Sequence, residues 1–244
     1  MTPVVVAHRG NSWVAPENTL AALVSAARAG ADMIEIDLQM ATDGVGVVFH
    51  DHPLGRTAAG DGLLRDLDSA AVSELDVGSW FDPAFEGARV PLLADVLDVL
   101  RRFERLGLLL EVSGPWNAEA LGQELATVEE AGLGDRVIVQ SFSAESLESA
   151  HEAAPALSRG FLTAGWSDSV LQTCDHVAAE WCNLGWDAFS QQRGALDAVR
   201  ARGLRTMVWT VNEPDSWTAA VEAGVDGIIT DRPDRLQGWL SAQR

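Results

Sequence analysis

Eight short aliphatic runs alternate with longer helical segments along this chain, and that alternation constrains its fold more than any other feature. The runs are Val4–Ala7, Met33–Gln39, Leu108–Val112, Val137–Ser141, Leu157–Leu162, Val177–Asn183, Arg205–Thr210 and Gly227–Thr230. Val4–Ala7, with three successive valines, reads as a strand buried on both faces, the pattern of a parallel sheet. Helices are expected over Leu20–Ala29, Leu92–Arg105, Ala118–Ala131, Ala144–Ala153, Gly194–Ala201, Asp215–Ala223 and Arg232–Ala242, with a shorter one inside Gly165–Ala178. Asn18 or Thr19 caps the first of these helices, and Gly30 stops it.

Strands that alternate with helices build a parallel sheet, and eight such units allow it to close. The expected fold class is therefore α/β, a (β/α)8 TIM barrel, formed as a single domain over residues 1–244. Residues 51–90 break the alternation, because they offer only short helical pieces such as Ser69–Leu75. That is too long for a plain strand-to-helix loop, so the stretch is expected as a small insertion after strand 2, lying over one end of the barrel.

A net charge of −19 argues against nucleic acid or an anionic membrane surface as a partner and favours a cationic ligand. All 17 basic residues are Arg, so a Lys cannot serve any role here. Cys174 and Cys182 suggest neither a disulfide framework nor a zinc site. The chain enters a strand within its first residues and has no apolar run of transmembrane length, so a cytoplasmic protein with no stable membrane insertion is expected. Acidic charge implies solubility and says nothing of oligomeric state.

The chemistry concentrates in Ile34–Asp51. Glu35 and Asp37 lie two apart on a strand and point to one side, while Ile34, Ile36 and Leu38 point to the other. Two carboxylates on a buried face repel each other unless a cation or a proton intervenes. Asp43-Gly44 is a hairpin signal that folds His50 back towards them. Barrel chemistry sits at the C-terminal ends of strands, and there the chain also carries His8 and, on the third strand, Glu111, with Leu109 and Ser113 as its inward neighbours. Glu35, Asp37 and Glu111 suit one hard divalent cation, Mg²⁺ or Ca²⁺. His8 and His50 suit general acid and base work near neutral pH, and Arg9 suits an anionic substrate group. Trp13, Phe142 and Trp209, near strand ends, are candidates to line a pocket, whereas His52, His151 and His176 read as structural.

At these residues the chain resembles the glycerophosphodiester phosphodiesterase family of bacterial type. The matching segments are His8-Arg9-Gly10, Pro16-Glu17-Asn18-Thr19, Gly30-Ala31-Asp32, Ile34-Glu35-Ile36-Asp37 and Thr42-Asp43-Gly44. Val47–Asp51, Leu54, Arg56-Thr57, Val90-Pro91-Leu92, Glu111, Ser141-Phe142, Trp209–Asn212 and Gly224–Pro233 continue the match over nearly the whole chain. The resemblance implies hydrolysis of a small-molecule glycerophosphodiester to sn-glycerol 3-phosphate and an alcohol. It also implies one divalent metal on Glu35, Asp37 and Glu111, an acid–base pair of His8 and His50, and Arg9 at the phosphate. Glu17 matches the acidic residue of the family motif and is expected to orient Arg9 or a histidine. Where the family has Glu-x-Lys with the Lys at the phosphate, this chain has Glu111-Val112-Ser113, so Ser113 brings a hydrogen bond there and no charge.

That departure keeps two alternatives open. One is a phospholipase D-like or cyclising phosphodiesterase acting on a larger lipid diester. The other is a low-activity homologue that binds a ligand and has lost turnover.

Overall fold

The structure is a computed structural model that describes residues 2–114, 116, 118–192 and 194–243. Its strands are β1 (Val4–Ala7), β2 (Met33–Met40), β3 (Gly46–Val48), β4 (Gly107–Val112), β5 (Val137–Ser141), β6 (Ser158–Thr163), β7 (Trp181–Gly185), β8 (Met207–Trp209) and β9 (Gly227–Thr230). Every strand except β3 pairs parallel with its neighbours in the order β1-β2-β4-β5-β6-β7-β8-β9, and β9 pairs back onto β1. The sheet is thus a closed eight-stranded parallel barrel with helices between its strands, the TIM-barrel fold. The hairpin strand β3 runs antiparallel against the end of β2, with Leu38 opposite Val48 and Met40 opposite Gly46. It can do so because β1 pairs with β2 only as far as Ile34, which leaves that edge of β2 open beyond.

The helices are α1 (Leu20–Arg28), α2 (Ser69–Ser73), α3 (Leu93–Arg102), α4 (Ala118–Glu130), α5 (Ala144–Ala153), α6 (Asp168–His176), α7 (Trp186–Gln191), α8 (Ala195–Ala201), α9 (Pro214–Ala223) and α10 (Pro233–Ala242). The alternation of side chains along each strand divides the core in two. Ile34, Ile36 and Leu38 face outwards and pack with Leu108 and Leu110 against Leu23 of α1 and Val96 and Leu97 of α3. Val6, Leu109, Trp181, Met207 and Ile229 point inwards and fill the barrel. Above that layer the interior turns polar: Asn183 donates to Gln140 Oε1 at 2.9 Å and accepts from the Met207 amide at 3.0 Å. This polar change marks the C-terminal end of the barrel, where the site forms.

Residues 51–90 contain α2, two short 3₁₀ turns and a small core of their own. Ala58, Leu64, Val72 and Val77 bury against Val47 and Phe49 of the hairpin segment. This segment is thereby anchored to the same hairpin that carries His50. Among the described residues no helix is long and apolar enough to cross a membrane.

Two elements differ from the sequence expectation. The run expected over Val177–Asn183 begins its strand only at Trp181, because Val177 and Ala179 close the end of α6 by donating to Thr173 and Cys174 carbonyls. The helix Trp186–Gln191 follows β7 without a loop, so no turn signal announces it. Thr19, and not Asn18, caps α1, accepting from the Ala22 amide at 3.3 Å.

Candidate active site

The register of β2 against β4 sets Asp37 beside Glu111 and Glu35 beside Leu109. One oxygen from each of Glu35, Asp37 and Glu111 lies within 4.8 Å of the others. Glu35 and Asp37 are buried, each about 1% exposed, so water does little to separate their charges. Burial pushes the Glu35 carboxyl well above its ordinary range, and repulsion from Asp37 and Glu111 pushes it further. Glu111 is pushed up to about 8 by burial and then by Asp37, against the opposing pull of Arg9 and the Ser113 hydroxyl. Glu35 and Glu111 therefore hold protons in this space unless a cation replaces them. The donor set, all hard oxygens converging on one point, fits a divalent metal ion.

The surrounding donors hold these carboxylates in place. Glu35 Oε2 accepts from the Arg9 amide at 2.9 Å, and Asp37 Oδ2 accepts from Asn18 Nδ2 at 2.8 Å. The Arg9 guanidinium adds its Nε 3.2 Å from Asp37 Oδ2 and donates through Nη1 to Glu17 Oε1 at 2.7 Å. Both Arg9 and Asn18 adopt the left-handed backbone conformation, with φ of 57° and 56°. Such strain in residues other than glycine collects at functional sites, and here it turns both residues onto the carboxylates. Gly10 makes the turn possible: its φ is +84°, and a Cβ there would lie 2.6 Å from the Ala22 carbonyl carbon.

Two imidazoles flank the cluster. His8 leaves the end of β1, and its Nδ1 lies 2.6 Å from Asp231 Oδ1. His50 follows β3, and its Nδ1 lies 2.8 Å from Asp51 Oδ1. Burial raises both aspartates, but hydrogen bonds outweigh it, from His8 and Asn212 to Asp231 and from Arg56 and His50 to Asp51, and both stay below the usual carboxylate range. An ionised carboxylate only accepts, so each ring carries its hydrogen on Nδ1 and keeps Nε2 for chemistry.

Two cavities meet at this cluster. The smaller, about 130 Å³, is bordered by His8, Arg9, the three carboxylates and the apolar Leu162, Trp209 and Ile229. The larger, about 630 Å³, opens between the segment His50–Arg56 and the ends of β4 and β5, with Ser113, Ser141 and Phe142 in its wall. His50, Glu111 and Phe142 border both. Phe142 stands edge-on to Trp209, with ring centroids 5.4 Å apart. Ser113 donates to Glu111 Oε1 at 3.3 Å.

Glu35, Asp37, Glu111, His8, His50 and Arg9 are thus brought together, with Phe142, Trp209 and Ser113 at the cavity walls. Glu17 lies behind Arg9 and borders neither cavity. Trp13 is 56% exposed, stacked under the Arg232 guanidinium at 4.6 Å, and also borders neither. His52 Nδ1 donates to Gln39 Oε1 at 3.0 Å, and His52 also borders the larger cavity. Sequence reasoning gave no role at the site to Asn18, Asp51, Arg56, Asn212 or Asp231. Asp231 directly follows the last strand, so the strand-end rule reaches it. Asn18 and Arg56 sit in loops, and only the three-dimensional path of the chain brings them to the site.

Comparison with known proteins agrees with this geometry. Residues 8–235 match the model of the glycerophosphoryl diester phosphodiesterase family. YhdW of Bacillus subtilis is 34% identical over 234 residues, covering 94% of this chain and 95% of the relative. A glycerophosphodiester phosphodiesterase of Caldanaerobacter subterraneus is 32% identical over 244 residues, covering 97% of each chain. Among solved structures, a phosphodiesterase of Oleispira antarctica in complex with the product sn-glycerol-3-phosphate superimposes with a TM-score of 0.86 at 30% identity, covering 98% of this chain and 97% of that one.

Proposed function

The chain belongs to the glycerophosphoryl diester phosphodiesterase family and is a phosphoric diester hydrolase, and we propose that it hydrolyses glycerophosphodiesters to sn-glycerol 3-phosphate and an alcohol by acid–base catalysis between His8 and His50. The observation that carries this reading is the pair of imidazoles, each oriented by its own aspartate, beside a three-carboxylate cluster.

Glu35, Asp37 and Glu111 would hold one Mg²⁺ or Ca²⁺ ion. Bound there, such an ion supplies Lewis-acid neutralisation of the diester's non-bridging oxygens. Arg9, which borders the smaller cavity, serves a non-bridging oxygen as well, and Ser113 offers one neutral hydrogen bond from the larger. One imidazole takes a proton through Nε2 from the attacking oxygen, which is water or a hydroxyl of the substrate. The other gives a proton to the leaving alkoxide as the ester P–O bond breaks. The glycerol end of the substrate fits the smaller cavity. The departing alcohol fits the larger, next to His50.

A second reading rests on the size of that larger cavity. Pro53 and Leu54, with Val112 and Phe142, give it apolar walls, which suits the alcohol of a bulkier lipid diester, and that reading expects a cyclic phosphate as first product. Turnover of glycerophosphocholine and of a lysophospholipid, with the products separated by phosphorus NMR, distinguishes the two. The first reading expects sn-glycerol 3-phosphate from glycerophosphocholine, with the rate abolished in His8→Ala and in His50→Ala. Activity that survives in both variants would remove the acid–base scheme.

A further inference from the structure

Arg56 makes more directed hydrogen bonds than its position suggests. It lies in the segment after β3, and its side chain is 47% exposed. Such an arginine usually contributes little, because solvent screens it and its long side chain must be ordered. Here, however, every nitrogen of the guanidinium is engaged, and by only two carboxylates. Nε donates to Asp51 Oδ2 at 2.6 Å and Nη2 to Asp51 Oδ1 at 2.9 Å. Nη1 donates to Glu17 Oε2 at 2.8 Å and Nη2 also to Glu17 Oε1 at 2.7 Å. Two paired contacts of this kind fix the plane of the guanidinium and the planes of both carboxylates.

What those carboxylates do next gives the arrangement its meaning. Asp51 Oδ1 meets His50 Nδ1, and Glu17 Oε1 meets Arg9 Nη1. Arg9 in turn lies against Asp37 through Nε and against Glu35 through its amide. One chain of charged groups therefore runs from His50 through Asp51, Arg56, Glu17 and Arg9 to two of the three clustered carboxylates. Without Arg56, Asp51 and Glu17 lose the cation they share. The other histidine is held differently: Asp231 is steadied by the neutral donors Ser12 at 3.3 Å and Asn212 at 2.7 Å. Only the His50 side depends on a cation carried by the segment that follows the hairpin.

We propose that Arg56 is a positioning residue for the hydrolysis, aligning His50 through Asp51 and the Arg9–Asp37 contact through Glu17. It borders the larger cavity but touches none of the three clustered carboxylates and neither imidazole, so its effect on them passes through Asp51 and Glu17. The inference rests on the acid–base reading given above.

The test uses the full chain with glycerophosphocholine and compares wild type, Arg56→Ala, Asp51→Asn and the double variant. Loss of an orienting partner of this kind costs roughly 10- to 100-fold, and the loss is expected in kcat, with KM little changed. Methylguanidinium added to Arg56→Ala should recover a large part of kcat, and the double variant should be no slower than the slower single one. Arg56→Lys keeps the charge but not the fork, so it should fall at least tenfold with cooperative unfolding retained. That variant carries the test if Arg56→Ala does not fold. Wild-type kcat in Arg56→Ala or Arg56→Lys, or multiplicative losses in the double variant with no chemical rescue, would overturn the proposal. Absence of turnover in the wild type would instead fail the underlying reading.

Discussion

The carboxylate cluster makes a quantitative demand on the metal-free protein. Glu111 titrates at about 8 in the folded chain against 4.5 ordinarily, mainly because of burial. Between those values the folded chain keeps a proton that the unfolded chain has released, so stability falls as pH rises. The penalty is absent below pH 4.5, grows through the window and is complete above pH 8. Its slope is about 1.4 kcal/mol per pH unit for one proton, so from pH 5 to pH 7.5 chelated protein loses about 3 kcal/mol from this group. For a chain of this length that is a fall of roughly 6–12 °C in Tm. Glu35 and Glu124, both raised by burial, act in the same direction. Glu17, Asp51 and Asp231 are lowered instead, so their stabilisation is lost only on acidification below the ordinary carboxylate range. Thermal unfolding in EDTA across pH 5 to 7.5 reads the effect, with Glu111→Gln as control. That variant removes its own titration and relieves Glu35, so its slope should flatten by more than one proton's share. Stability that is constant or rises with pH in the chelated wild type, or a full slope in Glu111→Gln, would refute the reasoning.

Two further outcomes follow from the geometry. Asp231→Asn replaces an acceptor-only carboxylate with an amide that can donate to His8 Nδ1 and favour the other tautomer, and kcat should fall by on the order of 10²-fold or more with the fold retained, as judged by circular dichroism. Ser113→Lys sets an ammonium beside Glu111 at the cavity wall, and kcat on glycerophosphocholine should rise by about tenfold or more, since one cation at a developing oxyanion is worth that much.

Much of the architecture can be read from the chain because the signals are local. Periodicity and glycine stops locate most strands and helices to within two or three residues, and eight repeats of one unit leave few ways to close. The strand-end rule then selects Glu35, Asp37, Glu111, His8 and His50 without any knowledge of distances. Less legible are the groups that hold these side chains. Asp51 and Asp231 are ordinary acids in sequence, and their value lies in facing an imidazole. Asn18 reads as a helix cap, yet its left-handed backbone turns it onto Asp37 and leaves the cap to Thr19. Arg56 belongs to the long stretch without periodicity, where hydrophobic spacing says least. Trp13 shows the opposite failure: its place near a strand end suggests a pocket wall, but it stacks on Arg232 at the rim.

The account stands on the claim that Glu35, Asp37 and Glu111 hold a divalent cation on which hydrolysis depends. The direct measurement is release of sn-glycerol 3-phosphate from glycerophosphocholine after exhaustive chelation and again after adding back Mg²⁺ or Ca²⁺, in wild type and in Asp37→Asn. The prediction is loss of product on chelation, recovery with at least one of the two ions in the wild type, and little or no recovery in the variant. Undiminished turnover in the chelated wild type would contradict it.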